Sequence, residues 1–130
     1  HRIRARMSVA ESLPAAGQGA LGIEILQRRS DLLELLAPLA CPKTTVCAIA
    51  ERAVSRALGG SCQVPLAAYA EVQGTSVSIR ALVATPDGKT IYRAEDSGSS
   101  AQAELIGQRV AQDLIDQGAG VILESLAVAP

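Results

Sequence analysis

The sequence predicts an α+β fold: a three-stranded antiparallel sheet with helices on one face, preceded by a hinge and a strand-helix segment. Three observations carry that expectation. Three runs of strand character, Gln63–Val72, Ser76–Ala84 and Thr90–Asp96, follow one another with connections of a few residues, and short connections favour antiparallel pairing. Stretches with helical spacing of apolar residues lie before and after them. A Pro/Gly-rich connector, "SLPAAGQG" at 12–19, precedes all of this.

The elements follow in chain order. After the connector, "ALGIEI" (Ala20–Ile25) is an apolar run of strand length. In "RRSDLLELLAPL", Ser30 or Asp31 is placed to cap a helix, and Asp31 with Glu34 has capping-box spacing. Leu32, Leu33, Leu35 and Leu36 give that helix an apolar face, and Pro38 closes it. The segment "CPKTTVCAIAERAVSRALGG" is the clearest helix, with Thr44 or Thr45 as cap. Val46, Ile49, Ala50, Ala53, Val54 and Ala57 form its apolar stripe. The pair Gly59-Gly60 ends it, since glycine adopts the left-handed conformation without a Cβ clash. In the strands, Gly74 and the "PDG" of Pro86–Gly88 mark tight turns. Val77, Ile79, Ala81 and Val83 alternate with their neighbours to give one apolar face. Pro65 sits near a strand start, where a missing N–H is tolerable on an edge. A helix is expected from about Ser100 to Gln117, with Ala103, Ile106, Val110, Ala111, Leu114 and Ile115 as its stripe and Gly118 as its stop. For "GVILESLAV" periodicity does not decide between strand and helix.

Whole-chain properties narrow the function classes. At 130 residues the chain is sized for one domain, burying roughly two-thirds of its unfolded surface. Two Tyr and neither Phe nor Trp leave a core of Leu, Ile, Val and Ala and no aromatic platform for stacking bases. Twelve basic and thirteen acidic residues, net charge −1, produce no field for nucleic acid or an anionic membrane. The Arg2, Arg4 and Arg6 cluster reads as solvated. No run of 18 apolar residues is present, and no apolar signal region is visible at the start. The sequence does not begin with Met and reads as a piece of a longer protein. Cysteines at 41, 47 and 62 suggest no disulfide framework, and a reducing, cytoplasmic setting is expected. Their spacing, with His1 as the single histidine, is poor for zinc, so no metal is expected.

Several residues are candidates for chemistry. Cys62 stands on a glycine-rich bend, "GGSCQVP", rather than inside a periodic element. It has room to fill a gap in the core, bind a metal, attack a substrate or carry a group covalently. A protease-like thiol needs a base, normally histidine, and His1 at the terminus is a poor partner. Loops carry function disproportionately, which sets Cys62 apart from Cys47, on the flank of a helix stripe, and Cys41, beside Pro42. Both of those read as structural cysteines. The glycines of "GQGALG" offer backbone N–H groups to an anion, but they precede a strand rather than a helix and make a poor dinucleotide site. A hinge is the expected role. Glu24, Glu51 and Arg52 are charges of a catalytic type, although such side chains on helix and strand faces are usually solvated or paired.

Three stretches together, "LPAAGQGALGIE" (Leu13–Glu24), "AERAVSRALGGSCQVPLAAYAE" (Ala50–Glu71) and "IRALVATPDG" (Ile79–Gly88), resemble the C-terminal part of the porphobilinogen deaminase (hydroxymethylbilane synthase) family. The resemblance runs in order from Leu13 through the helix that Gly118 closes. It implies a transferase of tetrapyrrole, porphyrin and heme biosynthesis. Such an enzyme condenses four porphobilinogen molecules into hydroxymethylbilane with release of ammonia. It implies a dipyrromethane cofactor, built from two substrate molecules and held by a thioether to the cysteine of the "GG-x-C-Q-V-P" loop, here Cys62. A thiolate is a suitable nucleophile to capture the electrophile left when porphobilinogen loses ammonia. Cys62 is then a tether rather than a turnover nucleophile, and Gln18 and Gly19 fall where the family's hinge approaches the cofactor.

The resemblance also implies a division of the chain. Residues 1–19 would close a second domain and form the hinge, 20–41 would return to a first domain, and 42–130 would form the cofactor-carrying α+β domain. The partners implied are porphobilinogen, the growing polypyrrole chain and the N-terminal domains of the same chain, in a monomeric cytoplasmic parent. The N-terminal residues that pair with substrate carboxylates are not in this sequence, so no catalytic residue is assigned here and the 130 residues alone are expected to be inactive. The competing readings are a noncatalytic ligand-binding or regulatory α+β module, or a structural domain with inert cysteines.

Overall fold

The computed structural model describes residues 2–59 and 64–127. In order, the chain forms helices α1 (Ser30–Leu36) and α2 (Pro42–Ala57), strands β1 (Leu66–Gln73), β2 (Ser76–Ala84) and β3 (Ile91–Ser99), and helices α3 (Ala103–Gln117) and α4 (Ala119–Ala127). Short 3-10 turns occupy Ala37–Leu39 and Ser100–Gln102. The strands make one antiparallel sheet in the order β1-β2-β3, and α2 and α3 pack on the same face of it, the α+β arrangement expected from the sequence.

The alternation in β2 sets that face. Val77, Ile79, Ala81 and Val83 are buried, while Ser76 and Ser78 are exposed. Register places Ala68, Ala81 and Ala94 side by side across the three strands, a row of small side chains on which helices can settle closely. Val54 of α2 and Ile106, Val110 and Leu114 of α3 complete the core. The helices meet each other at Gly107. A Cβ there would lie 2.8 Å from the Cβ of Ala53 and closer still to the carbonyl oxygen of Ala50, so only glycine permits this approach.

Both hairpin turns use the expected glycines. Gly74, at φ +61, is the first of two residues linking Gln73 to Ser76, which suits a type II′ turn. Gly88, at φ +69, follows Asp87, whose carboxylate accepts hydrogen bonds from the Thr85 hydroxyl (2.7 Å) and the Lys89 N–H (3.2 Å). Gly118 closes α3 in the left-handed conformation, φ +114. Gly59, φ +89, follows α2, and its neighbour Gly60 lies outside the described residues.

Some boundaries differ from expectation, each for a physical reason. Helix α2 starts before Thr44. Cys41 is its N-cap and Pro42 fills its first turn, where a fixed φ suits the helix and a missing N–H costs nothing. Thr45 instead donates its hydroxyl back to the Cys41 carbonyl (3.0 Å). Helix α1 is capped at Arg29 without a side-chain bond. Asp31 is held by the Arg29 guanidinium at 2.6 and 2.8 Å, so the Asp31–Glu34 capping box does not form. Strand β1 is in ladder geometry only from Leu66, and the expected start at Gln63 lies outside the described residues. Pro65 sits just before it on the edge strand, its carbonyl accepting from Ala84 N–H (3.1 Å). Strand β3 continues past Asp96 to Ser99 because all nine residues of β2 find a partner. Gly98 leaves room there for the Ile106 side chain. Of the ambiguous "GVILESLAV" run, 120–127 is helical and continues from the buried Ala119, with Ile122 buried, and Val128 lies outside the described residues.

The expected strand at 20–25 is absent, since these residues take no ladder partner. A strand needs an edge, and β1's outer edge is met instead by Pro14 and Glu51. Leu21 is wholly exposed, Ile23 60 % and Leu35 of α1 72 % exposed. Among the described residues none of the α1 leucines is fully buried: Leu32 and Leu36 are partly covered, Leu33 and Leu35 exposed. Ile49 and Ala57, expected in the stripe of α2, are exposed, and Leu58 is buried instead.

Candidate functional site

The described residues form a groove of about 700 Å³ where the connector 12–20 crosses the first half of α2 and the second half of β1. That volume lies in the range of small-molecule sites. The connector is shaped locally by a turn. Gln18 N–H donates to the Ala15 carbonyl (3.0 Å), and Ala20 N–H to that of Gly17 (3.0 Å). The Gln18 side-chain oxygen accepts from the Ala15 N–H (3.0 Å). Gly17 takes φ +73, and no atom lies within 4 Å of where a Gly19 Cβ would stand, so both glycines leave the groove wall bare.

Two bonds dock the connector onto the α+β unit. Ala68 N–H on the edge of β1 donates to the Pro14 carbonyl (3.0 Å). The second runs through Glu51, which is 7 % exposed. One of its carboxylate oxygens accepts from Gly17 N–H (2.7 Å) and the other from Ala70 N–H (2.8 Å). The anion met by the glycine turn is therefore the chain's own carboxylate. From the sequence Glu51 is one of several charged side chains of a catalytic type. Its position within an apolar helix stripe, beside Ala50 and Ala53, is the signal that marks it as buried.

Gln18 and Gly19 both line the groove, together with Lys43, Cys47 and Glu71. Cys47 is half-buried, and burial first, then the nearby Glu51 carboxylate, push its thiol pKa up. It packs against the core, as a structural cysteine would. Cys41 is exposed, and the Thr44 hydroxyl and N–H draw its pKa down. Cys62 lies outside the described residues. The ends that flank it are fixed by the last turn of α2 and the start of β1, whereas the groove uses α2 from Lys43 to Glu51. Glu51 precedes Ala57 by six residues, about 9 Å along the helix, so the groove and the flanks of the cysteine loop sit toward different ends of α2. Glu24 and Arg52 are exposed. Among the described residues no three His, Cys, Asp or Glu side chains gather in a way that holds a metal ion, and no single helix is long and apolar enough to cross a membrane.

Comparison with known proteins bears on this arrangement directly. The family model for the C-terminal domain of porphobilinogen deaminase matches residues 45–116, from the first turn of α2 almost to the end of α3. The chain belongs to the porphobilinogen deaminase family. Relatives bearing that name include one from Bordetella parapertussis, 60 % identical over 96 % of this chain. Others are from Laribacter hongkongensis, 49 % identical over 98 %, and Neisseria meningitidis serogroup A, 52 % identical over 91 %. The chain spans only 40 %, 42 % and 38 % of those relatives' own lengths. The porphobilinogen deaminase C-terminal fold is thus the sheet with α2 and α3, and the connector lies ahead of it.

Proposed function

We propose that the chain is the C-terminal part of a porphobilinogen deaminase whose full-length form joins four porphobilinogen molecules head to tail into hydroxymethylbilane, releasing ammonia. Cys62 carries the dipyrromethane cofactor through a thioether, and Gln18 and Gly19 contact that cofactor. The observation that supports this most is the family match across α2 and the sheet, the two elements between which Cys62 falls. Residues 1–19 end a second domain and supply the hinge, 20–41 return to a first domain, and 42–130 are the cofactor-carrying domain. The exposed Leu33 and Leu35 of α1 and the bare Leu21 and Ile23 are consistent with that division, because large exposed apolar patches mark contact surfaces.

The residues present fit such a group. Bound, dipyrromethane supplies a tethered pyrrole end to which further units are joined. The chain's own contribution is to hold it. In the sequence Cys62 follows Gly59, Gly60 and Ser61, and a thiol offers a carbon–sulfur anchor. The bare backbone of Gly19 and the Gln18 amide give a flat, hydrogen-bonding wall. Charge is the missing ingredient. Porphobilinogen bears carboxylates, which call for cationic partners, yet the groove is lined by one cation, Lys43, against two acids, Glu51 and Glu71. The 130 residues alone therefore do not turn over substrate, and the cytoplasmic, monomeric parent supplies the rest of the site from its N-terminal domains.

The test compares Cys62→Ser with Cys47→Ser in the full-length parent, following hydroxymethylbilane formation. Cys62→Ser should abolish activity while Cys47→Ser retains most of it. Equal activity in the two variants refutes the assignment.

A further inference from the structure

Glu51 is the one buried charged side chain among the described residues, and it forms no ion pair among them. A carboxylate withdrawn from water without a cation is costly unless its oxygens are satisfied by hydrogen bonds. Here both are, and the two donors belong to different parts of the chain: Gly17 N–H in the connector at 2.7 Å and Ala70 N–H on the outer edge of β1 at 2.8 Å. Bonds of N–H to an ionised carboxylate are roughly twice as strong as neutral ones. The connector's turn is otherwise closed on itself through Ala15, Gly17, Gln18 and Ala20. Its remaining backbone bond to the α+β unit is that of the Pro14 carbonyl to Ala68.

We propose that Glu51 is a positioning residue for the cofactor site: it pins Gly17 to α2 and β1 and thereby fixes where Gln18 and Gly19 stand on the groove wall. The proposal rests on the reading of Gln18 and Gly19 as cofactor contacts. With the Glu51 bond removed, the connector keeps the Pro14–Ala68 bond and the packing of Ala16 against the core, but the turn that carries Gln18 and Gly19 loses the one hydrogen bond that ties Gly17 to α2. The carboxylate acts through the connector and touches no reacting atom.

The test uses the full-length holoprotein with three variants, Glu51→Gln, Gln18→Ala and the two combined. Glutamine keeps the length of the side chain but presents an NH₂ donor to one of the two N–H groups, so one bond is lost. In Glu51→Gln, amide hydrogen exchange across residues 16–20 should accelerate about tenfold or more, the factor that 1.4 kcal/mol produces, while β2 and α3 keep their protection. KM for porphobilinogen should rise about tenfold, corresponding to the same free energy, with kcat changed far less. The double variant should show the KM of Gln18→Ala alone. Unchanged exchange at 16–20, acceleration spread equally over β2 and α3, or additive KM effects in the double variant each overturn the proposal. Faster exchange at 16–20 combined with a Gln18→Ala variant of normal KM upholds the anchoring by Glu51 and refutes Gln18 as a cofactor contact.

Discussion

Replacing Gly107 by alanine should destabilise the chain, although alanine is the better helix former. A Cβ at this position would stand 2.8 Å from the Ala53 Cβ, where carbon atoms normally approach to about 3.5–4.0 Å. The Ala50 carbonyl is nearer still and, as backbone, has no rotamer to escape into. Relief therefore requires α3 to move away from α2 by about 1 Å, loosening Ile106, Val110 and Leu114, all within the core. Overpacking of that severity costs about 3 kcal/mol, and the helix-propensity gain of glycine to alanine offsets about 1 kcal/mol. The net loss of about 2 kcal/mol lowers Tm by about 8 °C at this chain length. Gly120→Ala in α4 is the matched control. Nothing lies within 4 Å of its added Cβ, so the same chemical change should be neutral or slightly stabilising. Urea unfolding of the 130-residue chain followed by circular dichroism measures both. A Gly107→Ala variant as stable as the parent sequence would refute the close approach of α2 and α3.

Further expectations concern thiols and acid. At neutral pH, iodoacetamide should alkylate Cys41, exposed and drawn down by Thr44, well before Cys47, which burial and Glu51 hold protonated; peptide mapping at timed intervals reads the order, and faster labelling of Cys47 contradicts it. In the β2–β3 turn, hydrogen bonds from Thr85 first and Lys89 second lower the pKa of the Asp87 carboxyl below its ordinary 3.8. A depressed folded pKa gives stability that is present above the unfolded value and lost as pH falls through the folded one. The stability difference between the parent sequence and Asp87→Asn should thus shrink between about pH 5 and pH 2. A difference that stays constant over that range would show that Asp87 titrates alike in both states.

Much of the fold was legible because its signals are local. The alternation of Val77, Ile79, Ala81 and Val83, the glycines at 74, 88 and 118, and the stripe from Ala103 to Leu114 each report on a few residues' surroundings, and the structure uses them as written. Helix starts were less legible. Threonine and proline compete for the first turn of α2, and the choice of Pro42 depends on Cys41 being extended. The apolar run at 20–25 matches a strand in hydrophobicity and length, yet ladder formation depends on a free edge elsewhere in the chain. For the candidate site, Gln18 and Gly19 were visible through family resemblance, while the role of Glu51 was not. Its place in the helix stripe signals burial, but the two N–H groups that satisfy it, 34 and 19 residues away in sequence, are brought together only by the fold.

The most direct test of the account is intact-mass measurement of the full-length parent produced in cells, followed by peptide mapping. The account predicts an added mass of two linked pyrrole units on the peptide that contains Cys62. An active protein whose Cys62 peptide carries an unmodified thiol, or whose pyrrole adduct maps to Cys41 or Cys47, would contradict it.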